Sequence, residues 1–502
     1  MVDHNLRQFL ARLQKSGDLV AVEAGVDPVL EATALARQVQ ARQGPAILIN
    51  QPTGSDHRLL MNLFGHRRRI EAVFKHRPLS DLRELGQLLA RLQQPRLPRS
   101  LRGAFEDWPE LAQIALTAPR IVEQAEFMSH ELVGGEIDLE RLPIQHCWPG
   151  DAGRLITLGL VTTASRRLQR QNIGIYRQQL IGPNRVIMRW LAHRGGAQDF
   201  AEWQHDQPGR PFPAAVVIGA DPATTLAAVS PVPDTLSEFQ FAGLLRGARS
   251  RVVKLPATGL MVPAGAEIVL EGHIHPDDQA VEGPFGDHTG HYNARGTYPV
   301  LTVERLWRRD DAIYQGSWMG KSPHDEPSVL ASALNELFVP ILQGVFPEIH
   351  DFYLPPAACS YRIALVSIDK RYPGHARRMM LAIWSWLRQF SYTKFVLVLD
   401  ADIDIRDHNE VLWALANHVD PGRDSVILEN TPVDVLDFAG PEPGLGAKMG
   451  LDATRKWLAE TRRAWPEPIQ ADPNVDARMA ELAEQIVLTN NNDPTETIKR
   501  GA

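Results

Sequence analysis

Between about residue 130 and residue 315 the apolar residues come in short runs cut by Gly, Pro, Asn and Asp, and that texture limits the folds open to the chain. The runs cover 155–163, 186–190, 215–219, 267–274 and 298–303. Short β-type runs with turn residues between them predict a barrel or sandwich-like domain. The flanks read differently. Leu6, Phe9, Leu10 and Leu13 recur at helical spacing, so the chain opens on an amphipathic helix. Asp27-Pro28 reads as the cap and first residue of a second helix that stops near Gly44, and residues 46–50 as a buried strand. Residues 94–102 are Pro-rich and basic and read as a linker. Downstream, strands at 361–368, 394–399 and 425–429 alternate with helices at 376–390 and 409–419, the pattern of an α/β layer with parallel strands. A last helix over 476–488 has Pro-rich, polar flanks and is a candidate for packing on another subunit.

A chain of 502 residues exceeds what one hydrophobic core supports. The three textures therefore predict three domains, 1–125, 126–322 and 323–502. A net charge of −7 argues against nucleic acid as a partner. The two cysteines, Cys147 and Cys359, lie far apart; they read as small core residues, set no disulfide framework and fit a reducing cytoplasm. No uninterrupted apolar run approaches the roughly 18–20 residues that span a bilayer. Residues 1–13 carry Asp3, Arg7 and Arg12 and hold no signal-peptide core. His273 and His275 are expected on the solvated face of a strand, and His66-Arg-Arg-Arg69 as a solvated run. Residues 400–404, rich in Asp, read as loop and helix cap. Of Trp384 and Trp386, two apart on one helix, one is expected in the core and one at an interface.

Three constellations carry chemistry. Asn172, His193 and Glu238 offer an amide oxygen, an imidazole and a carboxylate, a mostly hard set that suits Mn²⁺ or Mg²⁺ and leaves octahedral positions open. The plain alternative makes Glu238 the third helical residue of a capping box begun by Thr235. Arg177, Arg189 and Arg194 can neutralise a phosphate dianion, and Gly195 with Gly196 leaves backbone N–H groups unobstructed; a surface turn is the alternative. Neither dinucleotide nor P-loop glycine patterns occur. In Glu282-Gly-Pro-Phe-Gly-Asp287, Gly283, Pro284 and Gly286 exclude a helix, so a turn can bring Glu282 and Asp287 to one side. One carboxyl beside an arginine such as Arg177 would stay ionised while the other held a proton. An ordinary polar β-turn is the alternative.

Together with Pro231-Val-Pro-Asp-Thr-Leu-Ser-Glu238, Tyr392-Thr-Lys-Phe395, Glu429-Asn-Thr-Pro432 and residues 172–182 and 444–453, these segments resemble the UbiD family of decarboxylases, its ubiquinone-pathway branch above all. The resemblance runs along nearly the whole chain. It implies an α/β fold with a central split β-barrel that binds the flavin, between an N-terminal α/β domain and a C-terminal α/β oligomerisation domain. It implies prenylated FMN, supplied by a flavin prenyltransferase, with Mn²⁺ on Asn172, His193 and Glu238 and a monovalent cation such as K⁺ as a companion. Ile175, Tyr176, Arg177, Arg189, Trp190, Leu191, Arg194 and Gly195 would line the cofactor, and Lys394 would reach its phosphate. Arg177, Glu282 and Asp287 would form the acid/base network, with Asp287 as proton donor. The implied reaction decarboxylates a 4-hydroxybenzoate bearing a polyprenyl chain at position 3. It would run in a cytoplasmic homo-oligomer built on dimers, up to a hexamer, that touches the inner face of the membrane peripherally. Relatives acting on cinnamic-type acids carry Glu where this chain has Asp287, so the donor's reach differs here. The rivals are a decarboxylase or reversible carboxylase acting on a different aromatic acid, a manganese-dependent hydrolase without flavin, and a non-catalytic assembly subunit.

Overall fold

The opening helix, Leu6–Lys15, starts where the Asn5 side chain accepts the Gln8 N–H, and it buries Leu6, Phe9, Leu10 and Leu13 as the spacing predicts. The computed structural model describes residues 3–74, 79–93, 117–191, 194–230, 232, 236–359, 361–386 and 388–492. The expected linker at 94–102 lies outside them. The second helix, Glu31–Ala41, begins later than Asp27-Pro28 suggests. Asp27 instead makes a tight turn, accepting the Val29 N–H at 2.8 Å, and Leu30 at φ 67° breaks the chain direction before the helix starts. Strands Leu19–Val22, Ala46–Ile49 and Arg58–Met61 form a sheet completed by Ile313–Gln315, which runs parallel to Arg58–Met61. The basic run at 66–69 divides. Arg67 and Arg68 are exposed, whereas Arg69 is fully buried and donates to the carbonyls of Leu63, Gly44 and Asn62. Helical phase, which the run's composition hides, turns the third arginine inward.

The middle of the chain builds one sheet of nine strands. Across it lie Leu155–Ile156, Gln178–Gly182, Arg185–Met188, Gly296–Arg308, Ile268–Glu282, Phe212–Ile218, Leu160–Ser165 and Arg170–Ile175, with His130–Val133 pairing Gly296–Arg308. The single run expected at 155–163 is therefore two strands, one at an edge of the sheet and the other next to its opposite edge. The run expected at 267–274 is longer than it reads. His275-Pro-Asp-Asp-Gln279 resembles a turn in sequence, yet a register shift between Ile274 and Gln279 absorbs it and the strand continues to Glu282. Along Phe212–Ile218 the side chains alternate between two cores: Val216 and Ile218 join Val161, Met188 and Trp190, while Ala215 and Val217 join Leu160, Ile173 and Trp307. His273 is half-buried beside Glu304, and His275 is exposed.

The C-terminal sheet has five strands in the order Ile349–Tyr353, Ile363–Ile368, Phe395–Asp400, Leu445–Asp452, Ser425–Pro432. The three inner strands are parallel. Ser425–Pro432, expected as a parallel strand, runs antiparallel at the edge, and the third parallel strand is Leu445–Asp452. Helix His375–Trp386 covers the sheet with Met379, Met380, Ile383 and Trp384, and half-buried Trp386 stacks on Phe390. Residues 400–404 form turns ahead of a helix that Asp407 caps. Among the described residues one helix, Glu326–Val345, is long and apolar enough by length and composition to cross a membrane. Here it is a spine. Leu337 and Ile341 enter the N-terminal core, and Phe338, Val339 and Leu342 enter the C-terminal one. Cys147 is buried, but Cys359 is only half-buried, at a left-handed backbone position, so it is no core residue. The chain divides into two compact units between Thr454 and Arg455, and the second contains the helix Pro473–Asn492.

Candidate active site

Strand Ile268–Glu282 ends on Glu282, which is fully buried, and Gly283 at φ 86° turns the chain away from the sheet. The turn is pinned from outside. Gly283 donates to Gln179 Oε1, Phe285 to Asn293 Oδ1 and Gly286 to Asp151 Oδ1, each through its N–H at 2.8–2.9 Å. A Cβ at Gly286 would collide with the Trp148 indole, so only glycine lets the turn lie this close. Arg177, just past strand Arg170–Ile175, reaches into the turn. Its Nε and Nη2 donate to the two Glu282 carboxylate oxygens at 2.7 and 3.1 Å, and its Nη1 donates to Asp287 Oδ2 at 2.9 Å. Phe285 lies 5.4 Å from the guanidinium carbon. Arg189 holds a second guanidinium 3.8 Å from Glu282, its Nε buried without a hydrogen-bond partner.

Asp287 has a further neighbour, His288, to which the sequence reading gives no role. His288 donates its backbone N–H to Asp287 Oδ1 at 2.8 Å, and its ring Nδ1 lies 2.7 Å from the same oxygen. Burial by itself would raise the Asp287 pKa. The His288 hydrogen bond, with the charges of Arg177, His288 and Arg189, outweighs it and holds the carboxyl well below the usual aspartate range. In this arrangement Asp287, paired with Arg177, rests ionised, as expected of the carboxyl beside the arginine, and would have to take up a proton before it could donate one.

A second cluster surrounds Asn172. Its strand pairs with Leu160–Ser165 so that Asn172 faces Thr163. The Asn172 amide donates to Thr163 Oγ1 at 3.4 Å, and Thr163 donates to Asp199 Oδ2 at 2.5 Å. Glu238 opens the helix Glu238–Arg246, and the capping box belongs to Ser237 and Gln240. Thr235 lies outside the described residues, and Glu238 is the first helical residue, not the third. Its carboxylate, which takes no part in that capping box, accepts its own backbone N–H at the helix start and lies 4.0 Å from the Arg170 guanidinium. Burial pushes its pKa up to about 7, and burial raises Asp199 as well. A Cβ at Gly195 would lie 2.5 Å from Asn172 Oδ1, so glycine there admits the amide. His193 lies outside the described residues. Among the described residues no three His, Cys, Asp or Glu gather into one group. Two buried acids beside an amide oxygen suit a hard cation, which would offset the desolvation that raises them.

Of the residues expected to line a cofactor, Tyr176 joins the Asn172 cluster through a hydrogen bond. Ile175 is half-buried against two cores, and Tyr176 meets Trp190 edge to face at 6.3 Å. The Tyr176 hydroxyl accepts the Gly196 N–H at 3.1 Å. The Trp190 indole N–H is buried without a partner, a polar group left for something else to satisfy. Leu191 is half-buried, and Arg194 is exposed at the start of helix Gly195–Asp206. Lys394 sits on the C-terminal sheet, where its Nζ pairs with Asp437 at 3.0 Å. Of the polar neighbours the sequence reading passes over, only His288 was accessible, since it follows Asp287 directly. Asp199 and Asp437 are brought in by tertiary folding from segments without a motif.

Family models match three stretches of the chain: the 3-octaprenyl-4-hydroxybenzoate carboxy-lyase N-terminal domain at 10–89, its Rift-related domain at 120–322 and its C-terminal domain at 328–453. Among solved structures the chain is similar to the vanillic acid decarboxylase of Sedimentibacter hydroxybenzoicus in its closed form, with 26% identity and a TM-score of 0.83 over 97% of this chain and 99% of that one. It is also similar to HmfF of Pelotomaculum thermopropionicum in complex with FMN, with 28% identity and a TM-score of 0.75 over 94% and 98%. An evolved dimeric form of HmfF in complex with prFMN matches at 27% identity and a TM-score of 0.74 over 96% and 100%.

Proposed function

Because the chain belongs to the UbiD family, we propose that it removes the carboxyl group of an aromatic acid without net oxidation, using prenylated FMN and Mn²⁺. The observation that carries this reading is the buried fork of Arg177 across Glu282 and Asp287. The FMN and prFMN held by HmfF support the flavin part.

Asn172, His193 and Glu238 would hold the metal, with K⁺ as a companion ion. Ile175, Tyr176, Arg189, Trp190, Leu191, Arg194, Gly195 and Lys394 would hold the flavin, and the nine-stranded sheet would serve as the split barrel that cradles it. The flavin supplies an electron sink, so that CO₂ can leave an aromatic carbon. The protein's own groups do the rest. An incoming carboxylate competes for the Arg177 guanidinium, and three carboxylates around one arginine drive a proton onto one of them. His288 holds Asp287 Oδ1, so Oδ2, facing Arg177, is the atom that takes up the proton and later delivers it to the ring carbon.

The substrate we propose is 3-polyprenyl-4-hydroxybenzoate, converted to 2-polyprenylphenol as in ubiquinone biosynthesis. The carboxy-lyase for which the matching models are named supports this. A polyprenyl tail would bring the protein to the cytoplasmic face of the membrane as a peripheral, dimer-based oligomer fed by a flavin prenyltransferase. A second reading, a small phenolic acid without a tail, is favoured by the likeness to the vanillic acid decarboxylase. The test is co-expression with a flavin prenyltransferase, followed by CO₂ release from the prenylated acid and from vanillic acid side by side. The first reading expects release from the prenylated acid alone. Arg177→Ala and Asp287→Asn should each cut release by at least about 100-fold; activity retained in both sinks the assigned roles.

A further inference from the structure

We infer that Arg362 is an additional phosphate-binding residue, gripping the flavin's phosphate from the C-terminal layer; this rests on the flavin reading above. Its Nε and Nη2 are buried and have no hydrogen-bond partner. A buried N–H of a charged group left unsatisfied is costly, so a fold keeps one where a ligand completes it. The position fits. The Arg362 carbonyl accepts the N–H groups of both Lys394 and Phe395 at 2.9 Å, which places the arginine beside the lysine expected at the phosphate. Thr393, next to Lys394, also has a buried hydroxyl without a partner.

Charge points the same way. The Tyr361 phenol donates to Asp434 at 2.9 Å, and burial and Asp434 push its pKa up against the opposing charges of Arg194 and Arg362. Both arginines therefore lie near enough to one half-buried phenol to act on its charge, although Arg194 comes from the central region and Arg362 from the C-terminal region. Lys394 already carries Asp437, and Asp434 is satisfied by Tyr361. That leaves Arg362 and Arg194 available to a dianion, and the forked donors of Arg362 match phosphate oxygens.

The test uses the full chain with Mn²⁺, titrated with FMN and, separately, with riboflavin, which lacks the phosphate; quenching of flavin fluorescence reads the affinity. Arg362→Ala and Arg362→Gln should weaken FMN roughly 10- to 100-fold and leave riboflavin unchanged, with partial recovery in Arg362→Lys. FMN affinity within about twofold of the parent chain, or an equal loss for riboflavin, overturns the inference. If Arg362→Ala does not fold, Arg362→Lys carries the test, because losing the fork should still cost several-fold for FMN alone. A parent chain that binds no FMN overturns the flavin reading and this inference together. FMN binding that ignores position 362 overturns this inference only.

Discussion

Removing the Arg177 guanidinium would leave two buried carboxylates facing each other without their shared cation. Glu282 is fully buried and Asp287 nearly so, which makes the loss one of stability as well as activity. Arg177→Ala should lower unfolding stability by about 3 kcal/mol, since breaking a buried pair strands the partner charge. Arg177→Ala combined with Glu282→Gln should recover part of that loss; urea unfolding of the two variants checks it. The members of this trio are legible in sequence because glycine and proline forbid a helix between the acids and a third residue of opposite sign lies in a neighbouring motif. Their protonation is not legible. It depends on His288, whose imidazole could as well have faced solvent, and on Arg189, brought up by a different strand. Glu238 teaches the converse: a plausible third-residue cap in sequence turns out to be the first helical residue, and Ser237 and Gln240 form the capping box instead.

At the scale of single elements, helix Glu326–Val345 begins on a buried acid. Glu326 accepts the Phe64 N–H at 2.6 Å and the Ser317 hydroxyl at 2.8 Å, and burial pushes its pKa up to about 7 despite Arg69 nearby. The folded form therefore holds its proton more tightly than the unfolded chain. Stability should fall as pH rises from the unfolded value near ~4.3 through the folded value, then level off, a loss on the order of 3 kcal/mol. Glu326→Gln keeps both hydrogen bonds and should flatten this slope. Chemical denaturation at a series of pH values between about 4.5 and 8 checks it, and an unchanged slope refutes it. Element identity was readable wherever apolar spacing was strong, as in Leu6–Lys15. It failed where a polar bulge imitates a turn, at 275–279, and where strand direction depends on partners, at Ser425–Pro432. Neither feature has a local signature.

For the molecule as a whole, the ligands act on stability by mass action. Adding FMN with Mn²⁺ to the flavin-free chain should raise the unfolding midpoint by an amount that grows with the logarithm of FMN concentration, and a chelator should remove most of the gain. A thermal shift insensitive to chelation would argue against a metal-tethered flavin. The alternation of strands and helices at both ends made an α/β fold legible before any coordinates. The junctions were not: Ile313–Gln315, only three residues long, completes the N-terminal sheet from far along the chain. Such short strands exist because their partners do, so no pattern announces them.

The carbonyl of His288 gathers the Ser322 N–H at 3.2 Å, the Ser322 hydroxyl at 3.1 Å and the Cys359 thiol at 3.7 Å. One residue back stands the carboxylate of Asp287. That single oxygen is a shared point of attachment behind the acid. The backbone that carries the acid is thereby anchored to Ser322 and Cys359, residues outside the fork of Arg177, Glu282 and Asp287.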